Sequence, residues 1–510
     1  MVQYMGSKGV VLESRGGSFL SIRGLLLALA VVCGYAVPGF ALSLPPPPPP
    51  DTSGEVPPRP RFERPVPRPT VSPPGNEPVV PPPTTEPRRS PVEATHAAPR
   101  PRPAAPEDAP STKPRLEMGG RLQVDSRAFH FRYSNWDADA GRSADLMDIR
   151  RARIDLRIIQ RDTYEVKLSA EFGGGKTKLE DGYVDWHLFG ESALRLGQFD
   201  YPFGNEPQRS SQYTMFIEKS MAAALADGGR DRGISLQGGL FDRLFTYQLA
   251  AMQGAGDNRL DSNDAADGVA RLVFRVWGEE GNSGLWVGGS YVNGLHRSLG
   301  DEIALKAESR SGAGPDTAHP GVSYFKATIG KGIDYYVRKI GYEATAVFEP
   351  VNMQVETFNL AYSIEHPVAI KGGYVAASWV LGGGRRNFRQ GNWRRAAVVA
   401  PITRHGAGAW ELAARYSWAE VDPRFFEDNG LYEGWVALNS PPSGTSGVKQ
   451  QTFYTRKLQA FTVGVNWAPD TYTTIMFNWV VTTTDGIASA LQNQNTADES
   501  AYVLRCQVEF

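Results

Sequence analysis

The chain has 510 residues, with 54 basic against 55 acidic side chains and a net charge of −1, so it carries no overall nucleic-acid-binding signature. Mean hydropathy is −0.35 and 38 prolines occur, most of them in one early segment, which argues against two or three ordinary soluble domains. The two cysteines, Cys33 and Cys506, are too few for a disulfide framework.

The first element is the apolar stretch Gly24–Leu42, preceded by Lys8, Arg15 and Arg23 and closing in Gly39-Phe40-Ala41. A basic start, an apolar core and a small residue before the cut describe a secretory signal peptide, here residues 1–41. Pro38 and the short core oppose a retained membrane helix, and Val32 is too bulky beside Cys33 for a lipoprotein cut. Cleavage leaves Cys506 as the one thiol of the mature chain.

Residues 42–116 form a second zone, opening on Pro45–Pro50 and continuing as Pro with Arg, Glu, Thr and Ala. Such a composition cannot bury a core, so the expectation is a disordered, largely polyproline II linker in the periplasm. At ~3.1 Å per residue it can reach on the order of 200 Å. It is either an inert spacer or a tether to peptidoglycan.

From residue 117 to 510 the pattern changes to period two. Ile154, Leu156 and Ile158 alternate with Arg153, Asp155 and Arg157; after Gln160-Arg161-Asp162-Thr163, Tyr164, Val166, Leu168, Ala170 and Phe172 alternate with Glu165, Lys167, Ser169 and Glu171. The two runs read as a tight hairpin. Further strands follow around Ala270–Val276, Trp410–Trp418, and Phe461–Trp467, the last leading through Pro469-Asp470 into Ile475–Val481. Many alternating segments of transmembrane length, with tryptophans near strand ends, short turns on one side and long polar loops on the other, predict an all-β transmembrane antiparallel barrel. A sheet in lipid must close. Sixteen strands are predicted, with eighteen as the alternative because Val322–Ile329 and Ala396–Ile402 are ambiguous. The final strand, with Tyr502, Leu504, Cys506, Val508 and Phe510 on its lipid face, is expected to close the barrel. Arg505, Gln507 and Glu509 should then face a wide, mixed-charge lumen.

Alternation also puts Arg121, Arg127, Arg151, Arg153, Arg157, Lys167, Arg195, Arg271, Arg275 and Arg415 inside, together with Asp125, Asp155, Glu165, Glu171, Asp185 and Glu411. Strict parity turns Arg150 outward unless a bulge intervenes. The segment Asp200–Asp231, apolar at Met215, Phe216, Ile217 and Met221, is too long for a solvated loop and is expected to fold inward.

The barrel region resembles the phosphate-selective porins O and P of Gram-negative bacteria. The resemblance rests on Arg150-Arg151-Ala152-Arg153, Gly197-Gln198-Phe199 before Pro202-Phe203-Gly204, Ser210-Ser211, Phe216-Ile217-Glu218, Gly373–Ser378, Ala409–Ser417 and Gly464–Trp467. It implies a sixteen-stranded homotrimer in the outer membrane, with Arg150 and Arg151 at the constriction and Ser210 and Ser211 binding the anion. Arg153 and Arg157 complete the basic strand. Lys219 stands where the family commonly has arginine, and Arg209 is the nearest candidate for the lysine that phosphate-selective members place beside the paired serines. The function so implied is passive diffusion of small anions, with selectivity for phosphate or polyphosphate as the finer expectation; the alternatives are a general porin or a structural anchor. The partners are then inorganic phosphate or other small anions, outer-membrane lipids and further copies of the chain. No zinc-helix, phosphate-loop or nucleophile-elbow motif is present, so neither catalysis nor a cofactor is called for. The tether reading expects deletion of Leu44–Arg115 to abolish co-sedimentation with the cell wall, and the spacer reading expects no change.

Overall fold

The computed structural model describes residues 114–131, 145–175, 177–259, 263–309, 323–364, 367–382, 384–428, 456–485 and 498–510. The signal peptide and nearly all of the proline-rich linker lie outside the described residues. No helix among the described residues is long and apolar enough to cross a membrane.

Strands do the crossing. β1 (Arg115–Phe131), β2 (Asp145–Gln160), β3 (Tyr164–Glu171), β4 (Lys178–His187), β5 (Ala193–Asp200), β6 (Arg230–Leu240), β7 (Phe245–Met252), β8 (Asp267–Gly278) and β9 (Gly284–Arg297) follow one another around the wall. The chain then makes a separate hairpin, β10 (Glu302–Lys306) with β11 (Ser323–Thr328), before rejoining the wall as β12 (Asp334–Phe348), β13 (Val351–Ser363) and β14 (Val368–Leu381). A second hairpin, β15 (Arg386–Arg389) with β16 (Asn392–Ala396), precedes β17 (Ala409–Val421), β18 (Lys457–Ala468), β19 (Thr473–Asp485) and β20 (Asp498–Glu509). Sixteen strands close the barrel. The eighteen-strand alternative fails because neither ambiguous segment enters the wall: β11, in a hairpin that pairs internally, covers the first, and of the second only Ala396 is a strand residue, ending β16.

Alternation survives along the wall. Ile154, Leu156, Ile158, Leu168 and Leu504 face outward and exposed, whereas Arg121, Gln123, Asp125 and Arg127 point in and are buried. Cys506 is exposed on the outer face, where an apolar neighbour series places it. Trp410 stacks on Trp467, with ring centroids 5.5 Å apart, at the end that carries most of the short turns, where a membrane interface favours amphipathic rings.

β1 closes the cylinder by pairing with both β2 and β20. Pairing extends to the backbone of Phe510, whose N–H donates to Gly120 O at 3.2 Å and whose carbonyl accepts from Gly120 N at 2.9 Å. Gly120 has to be small, since a Cβ there would come within 2.4 Å of the Phe510 ring. Within the seam Asp125 stands opposite Arg505, whose Nε and Nη2 donate to its two oxygens at 2.7 and 2.8 Å.

The lumen is not wide, which corrects the expectation from strand number. Three segments enter it. The connection from Tyr201 to Gly229 crosses to the far wall, carrying the short helix α1 (Met221–Ala226). Phe203 packs on Phe358, Phe216 lies under the Arg415 guanidinium at 4.5 Å, and Asn478 accepts from Ile217 N at 2.7 Å. Behind β10 comes Glu308, which accepts from Arg415 at 2.5 Å and from Thr462 at 2.8 Å. From the opposite end enter residues 384–408, part of a long connection on the side otherwise closed by short turns. Its Trp393 is fully buried and donates Nε1–H to Gln354 at 2.7 Å, and its Arg386 binds Glu411 at 2.7 and 2.9 Å.

Arg505 also donates Nη1–H to Ile217 O at 2.8 Å, so one buried guanidinium joins the seam to the inward loop. Replacing it with Met leaves Asp125 buried and partly unpaired, so Arg505→Met is expected to cost about 3–5 kcal/mol. Urea unfolding of the folded barrel in vesicles checks this, and an unchanged midpoint would contradict it.

Candidate functional site

Arg150 and Arg151 are set by a defect in the β1–β2 ladder. Gln123 faces Arg151 and Val124 faces Ile149, so Arg150 is the extra residue of a bulge. The bulge turns Arg150 inward beside Arg151, where its Nε meets Glu218 of the inward loop at 3.1 Å. The next inward residue of β2, Arg153, stands opposite Arg121 and is held by Glu171 at 3.2 Å and Glu180 at 2.9 Å. Arg157 is not part of this group; it lies four residues further along β2 toward Gln160, half exposed and 3.8 Å from Glu165.

The loop side is built just as locally. Ser210 and Ser211 lie opposite β1: Arg121 donates to Ser210 Oγ at 2.7 Å and to Gln212 Oε1 at 2.9 Å, and Gln123 donates to Ser211 Oγ at 3.3 Å. Arg209 turns to β13, where its Nη2 donates to Gln354 at 2.6 Å and to Asn205. Lys219 is neutralised by Asp227 at 2.5 Å. Burial pushes the Asp227 carboxyl up, but Lys219 and the Gly229 N–H outweigh it and hold its pKa below the usual carboxylate range. Gly197, at φ +135°, lets the wall come close at the root of this loop; a Cβ there would meet Gly182 O at 2.2 Å.

Arg121, Arg150, Arg151, Arg153, Ser210, Ser211 and Lys219 line a cavity of about 420 Å³ that carries nine basic and four acidic side chains in all. Its field is positive, and the position of its charges is the informative part. Among the described residues Arg151 makes neither a hydrogen bond nor an ion pair, and Arg121 bonds only to neutral oxygens. Arg415, expected as a pore charge, is instead a pin, donating to Glu206 at 3.0 Å, to Glu308 at 2.5 Å and to Glu218 O at 3.1 Å. Arg271 likewise holds Glu343 at 2.7 Å and Gly391 O at 2.7 Å.

Alternation alone already put Arg121 inside, but its place beside Ser210 depends on a contact 89 residues apart. Gln123 and Gln212 join the site in the same way. Neither carries a pattern that sequence reading can single out.

A barrel of sixteen strands narrowed by an inward loop over a cationic wall is the geometry of a diffusion pore. The family model described as phosphate-selective porin O and P matches residues 116–510. The chain belongs to this family. It is therefore an outer-membrane porin. A comparison with curated protein sequences finds no match. Among solved structures it is similar to an anion-selective porin of Comamonas acidovorans, at 11% identity over 78% of this chain and 100% of that one, TM-score 0.46. It is similar too to the outer-membrane channel DcaP of Acinetobacter baumannii, at 9% identity over 79% and 99%, TM-score 0.46. OmpT of Vibrio cholerae shares 9% identity over 78% and 97%, TM-score 0.44.

In this porin Glu218 masks Arg150. Glu218→Gln is expected to free that charge and raise the anion-to-cation permeability ratio roughly fivefold, as one added charge at close range would do. Reversal potentials across a planar bilayer under a salt gradient provide the check.

Proposed function

We propose that this porin passes small anions by passive diffusion, inorganic phosphate among them, and that Arg121 and Arg151 are its selecting charges with Ser210 and Ser211 beside them. The observation that carries this reading is the pairing of the lumen cations. Arg150, Arg153, Lys219, Arg230 and Arg505 are each matched to carboxylates, whereas Arg121 and Arg151 contact none. An anion at that point meets guanidinium charge that no protein carboxylate neutralises, in the forked geometry that suits an oxyanion. Serine hydroxyls can donate to the same oxygens. Arg150 contributes less while Glu218 covers it, Arg209 is occupied by amides, and Arg157 stands at the rim. The family resemblance supports a homotrimer as the working unit.

Single insertions into a planar bilayer test all of this. The expected record is a reversal potential favouring anions, closure in three equal steps, and a chloride current reduced by added phosphate. Arg121→Ala and Arg151→Ala should each lower anion preference roughly fivefold, while Arg157→Gln should leave it almost unchanged. A folded barrel without conductance, or unaltered selectivity in both alanine variants, would sink the proposal.

A further inference from the structure

A second cavity, of about 290 Å³, lies toward the short-turn end of the barrel, against the wall of β5 to β7. Its lining runs from Asp200 and Gln208 to Arg243, which stands in the turn between β6 and β7. It meets the cationic cavity at Asp200, which lines both, whereas the consecutive loop residues Gln208 and Arg209 line one each. An ion that leaves the cationic cavity for the second one therefore passes the Asp200 carboxylate.

Asp200 ends β5 and stands across the ladder from Arg230, the first residue of β6, so it marks the root of the inward loop. Among the described residues its one ion-pair partner is Arg230 at 3.1 Å, and that guanidinium is shared with Glu180 and Asp181, each at 3.0 Å. The neighbouring cations are committed as well. Arg153 serves Glu171 and Glu180, Lys178 serves Glu180 and Asp257, and Lys167 serves Asp181. Among the described residues this connected network holds five carboxylates against four cations, one negative charge in excess. Glu171, Glu180 and Asp181 are buried within it, and Asp257 sits in the connection between β7 and β8 and lines neither cavity. Asp200, with its side chain 32% exposed, presents the excess to the passage.

A fixed charge acts on an ion in proportion to the ion's own charge. Arg121 and Arg151 hold a doubly charged anion more strongly than a singly charged one, and Asp200 then opposes its exit more strongly. From this succession of charges we infer that Asp200 is a valence filter: the pore passes small anions of single charge and retains those of higher charge in its cationic cavity. The inference rests on the anion-channel reading above and narrows it to monovalent species.

Reversal potentials in a planar bilayer, with potassium chloride on one side and potassium sulfate on the other, test it. The unaltered porin should pass chloride in preference to sulfate. Asp200→Asn should raise the sulfate-to-chloride permeability ratio about fivefold, because one charge removed at close range acts once on chloride and twice on sulfate. Arg230 keeps Glu180 and Asp181 in that variant, so the root of the loop stays anchored. Gln237→Glu adds a carboxylate to the second cavity away from the root, and should lower the ratio by a similar factor. Equal passage of the two anions by the unaltered porin, or an unchanged ratio in either folded variant, would overturn the inference while anion preference leaves the channel reading standing. A preference for cations in the unaltered porin would overturn both.

Discussion

The bidentate pair between Arg505 and Asp125 is the contact on which the rest of this structure depends. A sheet crossing a membrane cannot leave an edge unpaired, because lipid offers its N–H and C=O groups nothing to bond. Here the last edge meets the first through β1 and β20, and inside that seam Arg505 sits opposite Asp125 with both oxygens engaged. Asp125 takes a third bond from Arg127 at 2.6 Å, and Arg505 reaches on to the backbone of Ile217. Closure of the wall and placement of the inward loop are thus one network, and the loop that shapes the pore is tied to the strands that close it.

Charge in this lumen falls into two groups, and pairing tells them apart. Most arginines are structural. Arg415 joins the inward loop to the segment behind β10, Arg386 fixes the β15–β16 connection to β17, and Arg271 grips both the wall and Gly391. Buried ion pairs of this kind are poor sources of net stability, because desolvation offsets much of the attraction. Their value is directional: a bidentate guanidinium accepts one geometry, and three loops packed into a barrel need unique positions. On the proposed reading, selectivity belongs to what is left over. Arg121 and Arg151 hold charge that no carboxylate cancels, and the bulge at Arg150 crowds that part of the wall with cations.

Much of the fold was legible because a strand in a membrane obeys a local rule. Period two separates lipid from lumen one residue at a time, so Leu504 and Arg505 could be assigned to opposite faces with no knowledge of their neighbours. The same rule misjudged Arg150, since a bulge is a mismatch between two strands and leaves no mark on either alone. It could not reject the strand-like segments near Ser323 and Ala396, whose composition suits a sheet but whose partners lie in hairpins off the wall. A connection as long as residues 382–408 on the short-turn side had no signature beyond its length.

By itself, the sequence determined the class of structure, the inward and outward faces, the segment that folds into the pore and the family to which the chain belongs. These follow from periodicity and motif, which are properties of short stretches. Tertiary structure alone decided which charges are available. Arg121 and Arg415 look alike along the chain, each a basic residue on an inward face. One ends beside Ser210 and Gln212, the other between Glu206 and Glu308. A lumen charge acts on a passing ion only if no carboxylate has cancelled it, and the carboxylates that cancel Arg415 arrive from loops roughly a hundred or more residues away.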